Sequence, residues 1–176
     1  MPQLAVAVLG PDRPGVIAAL TEVLLADGGN LEDASMTILR GQFAMTLVVD
    51  VPRAAREVEA ALEDVAGALD LLVSVRETAP DHADPPAAAP YLLRVHGADR
   101  PGLLHRATAL LAAHGANVTD LTTRLVGSPD APVYVMVIAV DVPADADTAT
   151  LTAAVDALAR ELDVEATLRP ADDDLL

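Results

Sequence analysis

The chain of 176 residues contains no cysteine, no lysine and no tryptophan. The first absence excludes a disulfide framework, thiolate metal sites and a cysteine nucleophile. The second excludes a P-loop lysine, Schiff-base chemistry and a lysine general base, because all 11 basic residues are arginine. Aromatic side chains are limited to Phe43, Tyr91 and Tyr134, too few for the stacking platforms with which single-strand binders hold bases. Positive charge is scarce as well. With 27 Asp and Glu the formal net charge is −16, which repels a phosphate backbone and argues against direct nucleic-acid binding. Although 52% of the residues are hydrophobic, the apolar runs stop well short of the roughly 20 residues needed to span a bilayer, so no membrane partner is expected. The opening "MPQLAVAVLG" alternates like a strand and lacks the basic-then-apolar pattern of a signal peptide. A cytoplasmic location is the expectation. His82, His96, His105 and His114 share no ligand spacing, and neither a metal nor a cofactor is expected.

What the sequence does contain is a repeat. "GPDRPGVI" at 10–17 returns as "GADRPGLL" at 97–104, and the offset of 87 also matches Gly28, Asn30 and Asp33 with Gly115, Asn117 and Asp120. Val16, Ile17, Leu20, Val23 and Leu24 map onto Leu103, Leu104, Ala107, Leu110 and Leu111, the spacing of one helical face. Gly28 and Gly115 then close this first helix, in the left-handed C-cap conformation that glycine favours. A second helix per copy is marked by Val58, Leu62, Val65 and Leu69, and by Leu151, Val155, Leu158 and Leu162. Between the helices lie strand-like runs at 30–39 and 42–50, and at 117–126 and 132–141, joined by the hairpin loops "RGQ" and "GSPDAP". Strands at 3–9, 70–76, 91–97 and 163–169 complete βαββαβ twice. This predicts an α+β fold of two ferredoxin-like units, each an antiparallel four-stranded sheet with two helices on one face.

The expected organisation is a first domain at 1–78, a Pro/Ala-rich linker at 79–90, a second domain at 91–170 and an acidic tail at 171–176. The linker "APDHADPPAAAP" reads as an extended connector able to reach about 35 Å at roughly 3 Å per residue. Alternation assigns Leu4, Val6, Val8, Phe43, Met45, Leu47, Leu71 and Val73 to the helix-covered face of the first sheet. Tyr91, Leu93, Val95, Tyr134, Met136, Ile138, Val164 and Leu168 take that place in the second. The opposite face carries Ala5, Ala7, Ala44 and Val48, and Val135, Val137 and Ala139, where a wet face would be polar. That face is therefore expected to be covered in part, by the other copy or by another chain.

In each copy a strand runs through Asp-Arg-Pro-Gly into a helix. Proline pre-sets the first helical residue, so Pro14 and Pro101 are expected at N1. The amides of Gly15 and Val16, or of Gly102 and Leu103, would then point out of the helix end toward an anion such as a carboxylate. Asp12 and Asp99 either cap the helix or meet a ligand ammonium group. Asn30 and Asn117 can donate and accept at once, which suits a zwitterion. A helix of some 13 residues separates turn from asparagine by about 18 to 20 Å, so a single unit is not expected to close one small-molecule site; opposed copies would.

These residues resemble the ACT-domain family, through "DRPGVIAALTEVLLADGGNLEDA" and "DRPGLLHRATALLAAHGANVTDL", with its D-R-P-G turn and G-A-N strand entry twice over. The resemblance spans nearly all of the chain apart from linker and tail. Such turns also occur beside the catalytic domains of formyltetrahydrofolate deformylases and protein uridylyltransferases, domains that are missing from this sequence. The tandem arrangement is similar to the glycine cleavage system transcriptional repressor group. It implies a ligand, an amino acid or similar small zwitterion, held by Asp12, Arg13, Pro14, Gly15, Val16 and Asn30, and by Asp99, Arg100, Pro101, Gly102, Leu103 and Asn117. It also implies a homodimer, a non-enzymatic regulatory role and a DNA-binding protein partner. The first copy departs from the pattern with "DGGN" against "HGAN", so the two sites need not be equivalent.

Two other readings stay open on the residues alone. Small ferredoxin-like acylphosphatases use an Arg and an Asn near their first turn, but their glycine-rich phosphate loop is not matched here. A ligand-free oligomerisation module needs no more than the apolar sheet face, with D-R-P-G serving as an ordinary turn.

Overall fold

Every second residue of Gln3–Pro11 is buried, at Leu4, Val6 and Val8, and the same alternation runs through Gln42–Asp50 at Phe43, Met45, Leu47 and Val49. Period-two burial is what a strand acquires when helices cover one face of its sheet. A computed structural model describes residues 2–78, 87–128 and 131–171, in two units, Met1–Ala83 and Asp84–Leu176. The first is β1 (Gln3–Pro11), α1 (Val16–Ala26), β2 (Asn30–Leu39), β3 (Gln42–Asp50), α2 (Ala55–Leu69) and β4 (Leu72–Glu77). The second is β5 (Ala88–Gly97), α3 (Leu103–Ala113), β6 (Asn117–Ser128), β7 (Ala131–Pro143), α4 (Thr148–Leu162) and β8 (Val164–Pro170). Both sheets are antiparallel, in the orders β2-β3-β1-β4 and β6-β7-β5-β8. The expected pair of ferredoxin-like βαββαβ units is what forms.

Each helix buries one stripe at i, i+4, i+8: Val16, Leu20 and Leu24 on α1, Leu103, Ala107 and Leu111 on α3. On α2 and α4 the stripes are Val58, Leu62 and Ala66, and Leu151, Val155 and Ala159. Val65, Leu69, Leu158 and Leu162 flank them, half-buried. Ile17, assigned to the core from its spacing, is instead 40% exposed. Both first helices end in a Schellman motif. Gly28 (φ +75°) donates to Leu25 and Gly29 to Leu24; Gly115 (φ +73°) donates to Ala112 and Ala116 to Leu111.

The strands of the second hairpin run further into its loop than the pattern indicated, with β6 reaching Ser128 and β7 opening at Ala131. β5 opens at Ala88, inside the stretch read as linker, because Ala88 and Ala89 pair with Pro143 and Val142 of a longer β7. Residues 79–86 of that linker, and all of the tail beyond Ala171, lie outside the described residues. Among the described residues of each unit no element packs over the sheet face opposite the helices. Ala5, Ala44, Val48, Val135, Val137 and Ala139 are half-buried there and Ala7 is exposed, so the cover inferred for that face comes from none of the described elements of its own unit.

The leading glycine of each repeated octapeptide has a packing role. A Cβ on Gly10 would lie 2.7 Å from the Asp70 carbonyl oxygen, and one on Gly97 would lie 2.8 Å from the Val164 side chain. Gly67, on the exposed side of α2, has open space instead. Chemical denaturation should therefore separate the three positions. Gly10→Ala and Gly97→Ala are expected to destabilise by roughly 1–3 kcal/mol through overpacking, whereas Gly67→Ala should stabilise by about 0.5–1 kcal/mol.

Candidate functional site

Pro14 and Gly15 form the corner of a type II turn. Gly15 has φ +90° and ψ −5°, and the Val16 amide donates to the Arg13 carbonyl across the turn at 3.4 Å. The second copy repeats this with Gly102 at φ +85°, ψ 0° and the Leu103 amide 3.3 Å from the Arg100 carbonyl. The helices begin only after the turn. Gly15 and Gly102 are N-caps, and the first intrahelical bonds run from Ala19 to Gly15 and from Arg106 to Gly102, each 2.9 Å. Pro14 and Pro101 thus lie two residues before N1, contrary to the position expected for them. The cause is the positive φ of the glycine, which a helical residue cannot adopt.

The Gly15 and Gly102 amides have no backbone acceptor among the described residues, as expected, but the amides that follow them differ from the expectation. The Val16 and Leu103 amides, expected to face a ligand, are turned inward, and both side chains are buried. At N2 and N3 the amides of Ile17 and Ala18, and of Leu104 and His105, meet no acceptor among the described residues, and neither helix has a side-chain cap. Among the described residues, nothing lies within 4 Å of the position that a Cβ on Gly15 or Gly102 would take. The result is a helix N-terminus whose donors are unmet among the described residues, beside a residue without Cβ, the electrostatic setting that attracts an anion.

Asp12 does not cap its helix. Its side chain is exposed, while its amide donates to the Gly41 carbonyl at 2.9 Å, which ties the turn to the tip of the β2–β3 hairpin. That tip, Arg40 and Gly41 at φ +51° and +79°, has the backbone of a type I′ turn. Asp99 is likewise exposed. The arginines differ between copies. Arg100 reaches the Asp163 carboxylate at 3.1 Å, whereas Arg13 has no ion-pair partner among the described residues.

Asn30 and Asn117 stand at the far ends of α1 and α3, helices of 11 residues that place them about 16 Å from the turns. Asn30 is in register with Asp50 and Asn117 with Asp141, so both lie on the sheet face opposite the helices. The structure therefore does not bring turn and asparagine of one unit together. The asparagines also differ. The Asn30 carboxamide donates to Glu32 at 2.7 Å, while Asn117 has Thr119 at the matching position and no side-chain bond among the described residues.

Beside the second turn the sequence reading missed a clasp between α3 and α4. Arg106 bonds Glu161 with both terminal nitrogens, at 2.8 and 2.5 Å. The hydrogen bond raises the Arg106 pKa above its ordinary value and holds the Glu161 carboxyl below its own. No spacing rule would have paired residues 55 apart in sequence.

The profile of the ACT domain matches residues 3–76 and again residues 91–160. The chain is 30% identical over 169 residues to the glycine cleavage system transcriptional repressor of Escherichia coli (strain K12), spanning 94% of this chain and 88% of the relative. The protein of the same name from Shigella flexneri matches to the same extent. A crystal structure of an unknown protein from Galdieria sulphuraria superposes with a TM-score of 0.84 at 26% identity, over 97% of this chain and 99% of that one.

The backbone strain and the clasp are each open to test. Gly15→Ala and Gly102→Ala should each cost about 1–2 kcal/mol from the left-handed backbone alone, since the new methyl meets open space. A carboxyl whose folded pKa is depressed stabilises above its unfolded pKa and loses that effect as pH falls through the folded one. The melting temperatures of the natural chain and Glu161→Gln should therefore differ near neutral pH and converge as the pH drops below the ordinary Glu range.

Proposed function

Because the chain belongs to the ACT-domain family and carries two such domains in tandem, we propose that it is a non-catalytic regulatory protein that binds an amino acid and passes its occupancy to a protein partner. The observation that carries this reading is the pair of open helix N-termini. Each has amides at N2 and N3 that meet no acceptor among the described residues, beside a glycine that puts no side chain next to them. A ligand carboxylate docks on Ile17 and Ala18, or on Leu104 and His105. The exposed Asp12 or Asp99 stands beside the turn to receive the ammonium group, with Arg13 or Arg100 at the rim.

Each turn is half a site. Its own asparagine is about 16 Å away and on the other side of the sheet, so the remaining donors come from outside the unit, which fits assembly as a homodimer. The two halves are not equal, because Arg100 and Asn30 are engaged by Asp163 and Glu32 while Arg13 and Asn117 are free of such bonds among the described residues. The curated relatives' name, glycine cleavage system transcriptional repressor, supports a role in transcriptional control of amino-acid metabolism. The net charge of −16 makes a protein, in place of DNA itself, the direct partner.

A ligand-free oligomerisation module is the second reading, favoured by Leu9 and Leu72, 47% and 72% exposed on the open face of the first sheet. Thermal-shift measurement against the common amino acids, beginning with glycine, separates the two. A ligand at a hundredfold excess over its dissociation constant adds about 2.7 kcal/mol of stability, and Gly15→Val with Gly102→Val should abolish the shift. If no amino acid raises the melting temperature, and Leu72→Asp alone lowers the sedimenting mass, the module reading holds and the sensor reading falls.

A further inference from the structure

The sheet faces turned away from the helices have diverged between the two units in a directed way. In the first, cross-strand rows read Asp33-Val48-Ala5-Arg76, Ser35-Thr46-Ala7-Ser74 and Thr37-Ala44-Leu9-Leu72. In the second, the same rows read Asp120-Ala139-Leu92-Arg169, Thr122-Val137-Arg94-Thr167 and Arg124-Val135-His96-Glu165. The first row keeps its Asp and Arg at opposite edges in both copies. Where the first unit has Ala7, Leu9, Thr37 and Leu72, the second has Arg94, His96, Arg124 and Glu165. Glu165 is engaged by His96 at 3.0 Å, and neither Arg94 nor Arg124 has an ion-pair partner among the described residues.

Three of the chain's 11 arginines, Arg94, Arg124 and Arg169, thus share one face of a molecule whose net charge is −16. Asp120 and Asp141, carboxylates of the same face, lie on the rows toward Asn117, and Glu165 faces His96, which leaves Arg94 and Arg124 as the cations of the other end. Strand spacing of about 4.8 Å and a rise of about 3.3 Å per residue place the Cα atoms of Arg94 and Arg124 roughly 12 Å apart. Val135 and Val137, half-buried, form the apolar floor between them. Cations flanking an apolar strip complement a segment that alternates carboxylates with apolar side chains.

We infer that this face of the second unit docks a short acidic, partly apolar segment of a protein partner. The inference rests on the reading of the chain as a regulator that acts through a protein. A short segment feels mainly the local arginines, because charges beyond a Debye length of about 8 Å are screened at physiological salt. A long polyanion such as DNA, or a second whole copy at −16, meets the surrounding acidic surface as well.

Fluorescence anisotropy of a labelled peptide of alternating Glu and Leu, titrated with the full chain, tests this. Binding should weaken with salt and fall at least about tenfold in Arg94→Glu/Arg124→Glu, and by less in Arg94→Gln/Arg124→Gln. Arg56→Glu/Arg160→Glu, on the exposed sides of α2 and α4, should leave it within about twofold. The inference is overturned if the peptide does not bind, if both charge-reversed pairs lose affinity equally, or if a single-stranded oligonucleotide displaces the peptide equally well. A drop in sedimenting mass of Arg94→Glu/Arg124→Glu would also overturn it, since the face would then join two copies. The amino-acid thermal shift of the natural chain keeps the two claims apart. If the natural chain shows the shift but binds no peptide, the docking face alone fails; if it binds the peptide but shows no shift with any amino acid, the sensor reading alone fails.

Discussion

The positive φ of a single glycine, Gly15 in one unit and Gly102 in the other, is the constraint on which the candidate sites depend. Proline before it fixes the first corner of a type II turn, and only a residue without Cβ takes the second corner without strain. The turn consumes the amide of Val16 or Leu103 and tucks that side chain into the core. The helix must then start on the next amides with no side chain to cap them. Had the proline itself opened the helix, the Val16 amide would have been among the free donors. The open end is thus a consequence of how the strand turns into the helix.

Duplication has preserved this backbone while relaxing what surrounds it. Gly10 and Gly97 keep the close approach of neighbouring chain, and both first helices end in the same Schellman motif. The polar groups near the turns have diverged. Arg100 is drawn toward Asp163 and Arg106 toward Glu161, whereas Arg13 has no such partner among the described residues, and Asn30 alone is engaged by its neighbour. The open sheet faces have parted further, with Ala7, Leu9, Thr37 and Leu72 of one standing where the other has Arg94, His96, Arg124 and Glu165. Two units with one architecture can therefore serve different contacts.

Much of the fold was legible in the sequence because burial on one face imposes a period of two on strands and 3.6 on helices. Leu4, Val6 and Val8, or Val16, Leu20 and Leu24, report their environment directly. The repeat doubled that signal. The position of the proline was misread because "RPGV" fits both a helix start and a type II turn, and the glycine after the proline was the residue that should have decided between them. The bulges at Glu32 and Thr119, where the register shifts between Leu31 and Asp33 and between Val118 and Asp120, had no local sign. Side-chain engagements such as Arg106 with Glu161 depend on how two helices are set across a sheet, which no linear spacing encodes.

The central claim, that a carboxylate docks on the open amides in the first turn of each first helix, is tested most directly by following backbone amide resonances of the full chain during titration with an amino acid that raises its melting temperature. The account predicts that the largest saturable shifts fall on Ile17 and Ala18, on Leu104 and His105, or on both pairs. Saturable shifts confined to other residues, with these four amides unmoved, would contradict it.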